Sequence, residues 1–150
     1  MYKSHKIMCL FLFFIIFLLS FYLDIEINAE AKSNMLTVVS IMLGFTMTGL
    51  TVMIGQDFAK RLNKKIDMRS PLKQTQLQTL AVYFYGSFNV GILIILLLII
   101  LGLIPNNNVK NLHLFIKIIN SVILAMFGIN FFLIRLLWKV LIQLFHKSAE

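Results

Sequence analysis

A single cysteine, Cys9, occurs in this sequence. It has no second thiol for an intrachain disulfide and no companion for a thiolate metal site. It lies in an apolar run, where a small lipid-facing or core residue is the expected role. Carboxylates are also scarce. The six are Asp24, Glu26, Glu30, Asp57, Asp67 and Glu150, and none falls within a long apolar run. Cation-coupled transport usually needs a carboxylate at membrane depth, which this distribution does not supply. His5, His113 and His146 stand at three separate positions with no ligand at metal-binding spacing, so no metal is expected. There is no glycine-rich phosphate loop. No serine has a neighbouring His and Asp to activate it as a nucleophile. The expectation is a protein that is not an enzyme and carries no cofactor. Only two prolines, Pro71 and Pro105, interrupt the chain.

What the sequence has in abundance is apolar residues. Hydrophobic side chains make up 59% of the chain and charged ones 13%, against about 25% charged in a soluble domain. A chain of 150 residues has too little interior to hide them from water. Four runs are long enough to span a bilayer: 7–23, 35–54, 80–104 and 114–134. None alternates with the period of two that a membrane barrel requires. The predicted fold is all-α, an integral membrane four-helix bundle forming one domain. "MYKSHK" followed by an apolar run, with Ala29-Glu30-Ala31 beyond, has some features of a cleaved signal. The run is longer than most signal cores, so we read it as a retained anchor, bracketed by Tyr2 and Tyr22 as interface residues.

Charge sets the expected orientation. Of fourteen Lys and Arg residues, six lie in the loop between the second and third runs: Lys60, Arg61, Lys64, Lys65, Arg69 and Lys73. Lys3 and Lys6 precede the first run, and Arg135, Lys139 and Lys147 follow the last. With both termini cytoplasmic, eleven basic residues lie inside and three (Lys32, Lys110, Lys117) outside. The net charge of +8 is thereby read as topological, and no direct nucleic-acid contact is expected. The location implied is a bacterial inner membrane, crossed by a multi-pass chain.

Helices 2, 3 and 4 are expected to extend into the cytoplasm. Ser33-Asn34 reads as the N-cap of the second helix. Phe58, Leu62 and Ile66 continue an apolar stripe past Gly55, so that helix is expected over ~35–67. Ser70-Pro71 reads as the N-cap and first residue of the third helix, over ~71–104, closing a basic hairpin at 56–79. Pro105 and the asparagines after it end that helix. Beyond Arg135 the chain either continues the fourth helix over 135–150 or lies in the headgroups. With no breaker from Leu114 to Lys147, continuation is the preferred reading.

Two helix faces carry small and polar residues. On the second helix, Thr37, Ser40, Gly44, Thr48, Thr51 and Gly55 share a side. Such faces favour close helix contact, within a chain or between copies, and a pore lining is the alternative. On the fourth helix, Lys117, Ser121, Ala125, Gly128, Arg135 and Lys139 align. Asn89 and Asn130 are expected to hydrogen-bond to other helices or to line a pore. Tyr83, Gly86 and Asn89 mark the protein-facing half of the third helix.

The stretch "GFTMTGLTVMIGQDFAKRLNKK" runs from a helix rich in Gly and Thr into a basic helix. It resembles small four-span membrane subunits of bacterial phage-defence systems, over roughly Met35–Ile104. One such subunit is the membrane protein of the Rex exclusion system and another is the membrane subunit of the Kiwa system. The first resemblance implies a depolarising channel. The second implies an oligomeric sensor whose cytoplasmic face holds a soluble DNA-binding subunit. Neither supplies functional residues that match one by one. The leading expectation is a homo-oligomeric scaffold or sensor in the lipid bilayer. It would dock a soluble cytoplasmic protein, or anionic headgroups, on Lys60, Arg61, Lys64, Lys65, Arg69, Lys73, Arg135 and Lys139. The alternative is an ion-conducting or holin-like channel, with Thr48, Thr51 and Asn89 as pore residues.

Overall fold

The computed structural model describes residues 2–54, 57–64, 66, 75–104 and 110–148. The described chain is all-helical: α1 (Lys3–Tyr22), α2 (Ala29–Ile54), α3 (Asp57–Lys64), α4 (Gln76–Leu103) and α5 (Lys110–Ser148). Four helices are long and apolar enough to cross a membrane: α1, most of α2, α4, and α5 from His113 to Lys139. These are the four expected runs.

The turn from α1 to α2 shows how local chemistry sets the ends. Asp24 has φ 54, the left-handed region that closes a helix. The Leu23 amide donates to the Leu19 carbonyl and the Ile25 amide to that of Ser20, satisfying two terminal acceptors. Ile27 then dips into the core. Asn28 caps α2, its Oδ1 accepting from the Ala31 amide at 2.7 Å. This displaces the expected cap at Ser33-Asn34, because Ala29-Glu30-Ala31-Lys32 is good helix-forming sequence and Glu30 suits the positive end of the dipole.

The third predicted helix also starts elsewhere. Thr75 is extended and caps α4 in a reciprocal box: the Gln78 amide donates to Thr75 Oγ1 and the Thr75 amide to Gln78 Oε1. The described helix therefore begins at Gln76, and the expected cap at Ser70-Pro71 lies outside the described residues. The second predicted helix likewise stops short of residue 67. The helix α3 ends at Lys64, and Ile66 forms an isolated antiparallel bridge with Thr75. Thr75 Oγ1 donates to Asn63 Oδ1 at 3.3 Å, and the buried Ala59 and Leu62 seat α3 against α4. Ile66 is exposed, so the stripe beginning at Phe58 does not continue through it. At the other end of the chain α5 continues unbroken to Ser148, as the sequence favours. Its 39 residues span roughly 58 Å, about twice the hydrocarbon thickness.

Neighbours pack antiparallel. The helix α5 packs on both α1 and α4, and α2 packs on α4. The inner pair, α4 and α5, is the most buried; α1 is the least. One core cluster joins Val39, Ile94, Leu98 and Ile123 across α2, α4 and α5. A second joins Leu80, Tyr83, Phe84, Leu133 and Leu137, with Tyr2 and Cys9 against it. Cys9 is thus half-buried beside the core. Antiparallel packing gathers the start of α1, all of α3, the start of α4 and the end of α5 at one end of the bundle.

Candidate functional site

Three polar constellations stand out against the apolar background. The first lies where α2, α4 and α5 meet. Ser87 Oγ donates to Asn130 Oδ1 at 2.7 Å, both residues fully buried. Asn130 therefore bonds across helices, as its sequence position suggests. Its Nδ2 finds no acceptor among the described residues. One turn along, Gly91 lets α2 close in: a Cβ there would stand 2.8 Å from Leu43 Cδ2 and 3.4 Å from Asn130 Nδ2. Interhelical bonds of this kind average about 0.6 kcal/mol in membranes, so the pair fixes register more than it stabilises the bundle.

The second is at the start of α1. Tyr83, completely buried on α4, accepts from the Tyr2 amide at 3.2 Å, and its hydroxyl lies 2.5 Å from His5 Nδ1. The three rings pack edge to face. The helix α1 has little other burial, so this cluster and the α5 seam hold it in place. Along that seam Gly128 receives Ile16, whose Cδ1 would be 2.4 Å from an added Cβ. Ser121 and Ala125 are buried on the same stripe of α5. Ser20 Oγ and Asn120 Oδ1 are buried without a described hydrogen-bond partner.

The third constellation closes the opposite end. Lys117 Nζ pairs with Asp24 at 3.1 Å and lies 4.9 Å over the Phe21 ring. Phe21 continues a stacked ladder with Phe17 and Phe13. His113 and Glu26, both well exposed, approach to 3.9 Å. The α1–α2 turn is tied to α5 by these contacts.

The remaining expected residues are dispersed. Ser40, Gly44, Thr48 and Thr51 all face outward, away from α4. Thr37, Thr48 and Thr51 donate to their own helix, at the carbonyls of Ser33, Gly44 and Met47. A Cβ at Gly44 would meet nothing within 4 Å. The face of α2 that does pack is different, built on Met35, Val39, Leu43, Thr46 and Gly49, the last close to Phe84. Asn89 is exposed on α4 and makes no hydrogen bond to another helix among the described residues. Lys60 and Lys64 are exposed on α3, and Arg135 and Lys139 on α5. Arg61 lies on α3 with its side chain outside the described residues, and Gly55, Lys65, Arg69 and Lys73 lie outside them altogether.

Sequence reasoning gave no role to His5 and Ser87, and read Tyr2 only as an interface anchor. For Ser87 a signal existed: it stands with Tyr83 and Gly91 at spacings of four on one face of α4. Contacts of Tyr83 with Tyr2 and His5 span about eighty residues and carry no local signature. Among the described residues no three His, Cys, Asp or Glu side chains gather as a metal centre. No protein-family model matches the chain, and comparison with characterised proteins and with solved structures likewise gives no match.

Proposed function

We propose that this chain is a non-enzymatic, homo-oligomeric scaffold or sensor of a bacterial inner membrane, with its basic end in the cytoplasm, and that it serves phage defence. One observation carries the reading. The helix α2 turns Thr37, Ser40, Gly44, Thr48 and Thr51 outward, interleaved with Ile41, Phe45 and Met47, whereas the outward face of α1 is almost wholly Ile, Leu and Phe. A Leu- and Phe-rich face suits lipid. A face of Ser, Gly and Thr with its threonine hydroxyls already bonded to the backbone suits close approach of another helix. The second copy supplies that helix through the same α2 face. The basic residues of α3 and α5, exposed at one end of the bundle, then dock a soluble subunit. The phage-defence assignment rests on the resemblance of "GFTMTGLTVMIGQDFAKRLNKK" to the subunits named above.

Disulfide cross-linking in native membranes tests the assembly. In a Cys9→Ser background, Thr48→Cys should give a covalent dimer on mild oxidation, and Phe11→Cys, on the outward face of α1, should not. Equal cross-linking at both positions, or at neither, would sink the α2 interface. The channel reading draws support from Asn89, an amide exposed on a spanning helix. A pore would then lie between copies, and ion flux from liposomes carrying the purified protein decides between the two.

A further inference from the structure

The α1–α5 seam begins with the Asp24–Lys117 ion pair and ends without one. At its far end lie Lys3 and Lys6 on α1 and Arg135 and Lys139 on α5, all exposed. His5, between Lys3 and Lys6, contacts Tyr83, which shares a core cluster with Leu133 and Leu137 on either side of Arg135. None of the four pairs with a carboxylate among the described residues. The carboxylates whose side chains are described, Asp24, Glu26 and Glu30, all belong to the opposite end. Antiparallel packing of α1 on α5 thus places four like charges at the same end of the pair, and Arg135 and Lys139, one turn apart, repel each other directly. The contacts of Tyr83 with Tyr2 and His5 keep the start of α1 from swinging away.

The neighbouring surface identifies the anion that would neutralise this end. Lys3, Ile7, Leu10 and Phe14 share one face of α1, and the three apolar members are each more than half exposed. An exposed apolar stripe therefore rises directly from the cations. We propose that the Lys3–Lys6–Arg135–Lys139 end of the α1–α5 pair is a binding site for an anionic phospholipid. The phosphate lies among the four cations and an acyl chain along Ile7, Leu10 and Phe14. A free phosphate would satisfy the charges and leave the stripe unused. A lipid uses both. The site requires that the chain sit in a membrane, but it does not depend on α2-mediated assembly or on a soluble partner.

The full chain, purified in an uncharged detergent, is titrated with phosphatidylglycerol and, separately, with phosphatidylcholine. Thermal unfolding and native mass spectrometry read the binding. Phosphatidylglycerol should raise the unfolding temperature and be retained as adducts, and phosphatidylcholine should do neither. Lys3→Gln with Lys6→Gln should weaken phosphatidylglycerol about thirtyfold, from what two cations contribute near an anionic surface. Lys139→Gln alone should weaken it about fivefold on the same basis. Lys60→Gln with Lys64→Gln should leave it unchanged. Circular dichroism checks each variant's helicity, and the wild-type lipid comparison stands even if a variant fails to fold. The proposal is overturned by equal retention of both lipids. It is overturned equally by inorganic phosphate stabilising as well as the lipid, or by a loss confined to the Lys60 and Lys64 variant.

Discussion

Glycine at position 91 and glycine at position 128 look alike in the sequence, each a small residue within an apolar helix. Their surroundings differ. A methyl at Gly91 meets both Cδ2 and Cγ of Leu43, at 2.8 and 3.1 Å, and so presses on the branch point of a side chain wedged between helices. A methyl at Gly128 meets the terminal Cδ1 of Ile16, which can rotate away towards the open side of α1. Gly91→Ala should therefore destabilise by about 1–3 kcal/mol, the usual cost of overpacking. Gly128→Ala should be close to neutral, because the better helix propensity of Ala, up to about 1 kcal/mol, offsets the contact. Denaturant titration in mixed micelles measures both. Adding Leu43→Ala should rescue the first variant only, and failure of that rescue would separate Gly91 from the α2 contact.

At the level of the helices, termini were harder to read than spans. The span of α4 follows from a long apolar run, but its start depends on which of two capping signals wins. Ser70-Pro71 and Thr75-x-x-Gln78 both qualify; the first lies outside the described residues, and the second is realised as a reciprocal pair of hydrogen bonds. Thr75 is additionally held by Asn63 and by the bridge to Ile66, which a local reading of residues 70–78 does not contain. Thr75→Ala should cost about 1 kcal/mol in thermal unfolding. Thr75→Ser should retain nearly all of the stability, since the hydroxyl is what the Gln78 amide and Asn63 use. If the Ala variant is as stable as the parent, the cap is not what fixes the start of α4.

For the molecule as a whole, the decisive property is that the start of α1, α3 and the end of α5 gather at one end of an antiparallel bundle. In a membrane the basic end should face the cytoplasm, because Lys and Arg concentrate there. In a Cys9→Ser background, a cysteine at Asn107 should react with a membrane-impermeant maleimide added to spheroplasts. A cysteine at Ser148 should react only after the membrane is permeabilised. Simultaneous labelling of both positions in intact spheroplasts would contradict four crossings.

That four helices are long and apolar enough to cross a membrane was determined by composition and period, since the apolar runs and the breakers between them are local facts. The pairing of Asn130 across helices could also be anticipated, because a buried amide needs a partner. Which face of α2 turns inward could not. Both its faces carry small or apolar residues at helical spacing, and only the shape of α4, with Gly91 admitting Leu43 and Phe84 closing on Gly49, selects between them. The same holds for the contacts of Tyr83 with Tyr2 and His5, and for the placing of Lys3 and Lys6 at the same end of the α1–α5 pair as Arg135 and Lys139. These join residues far apart in the chain, and close packing of side chains, not periodicity, brings them together.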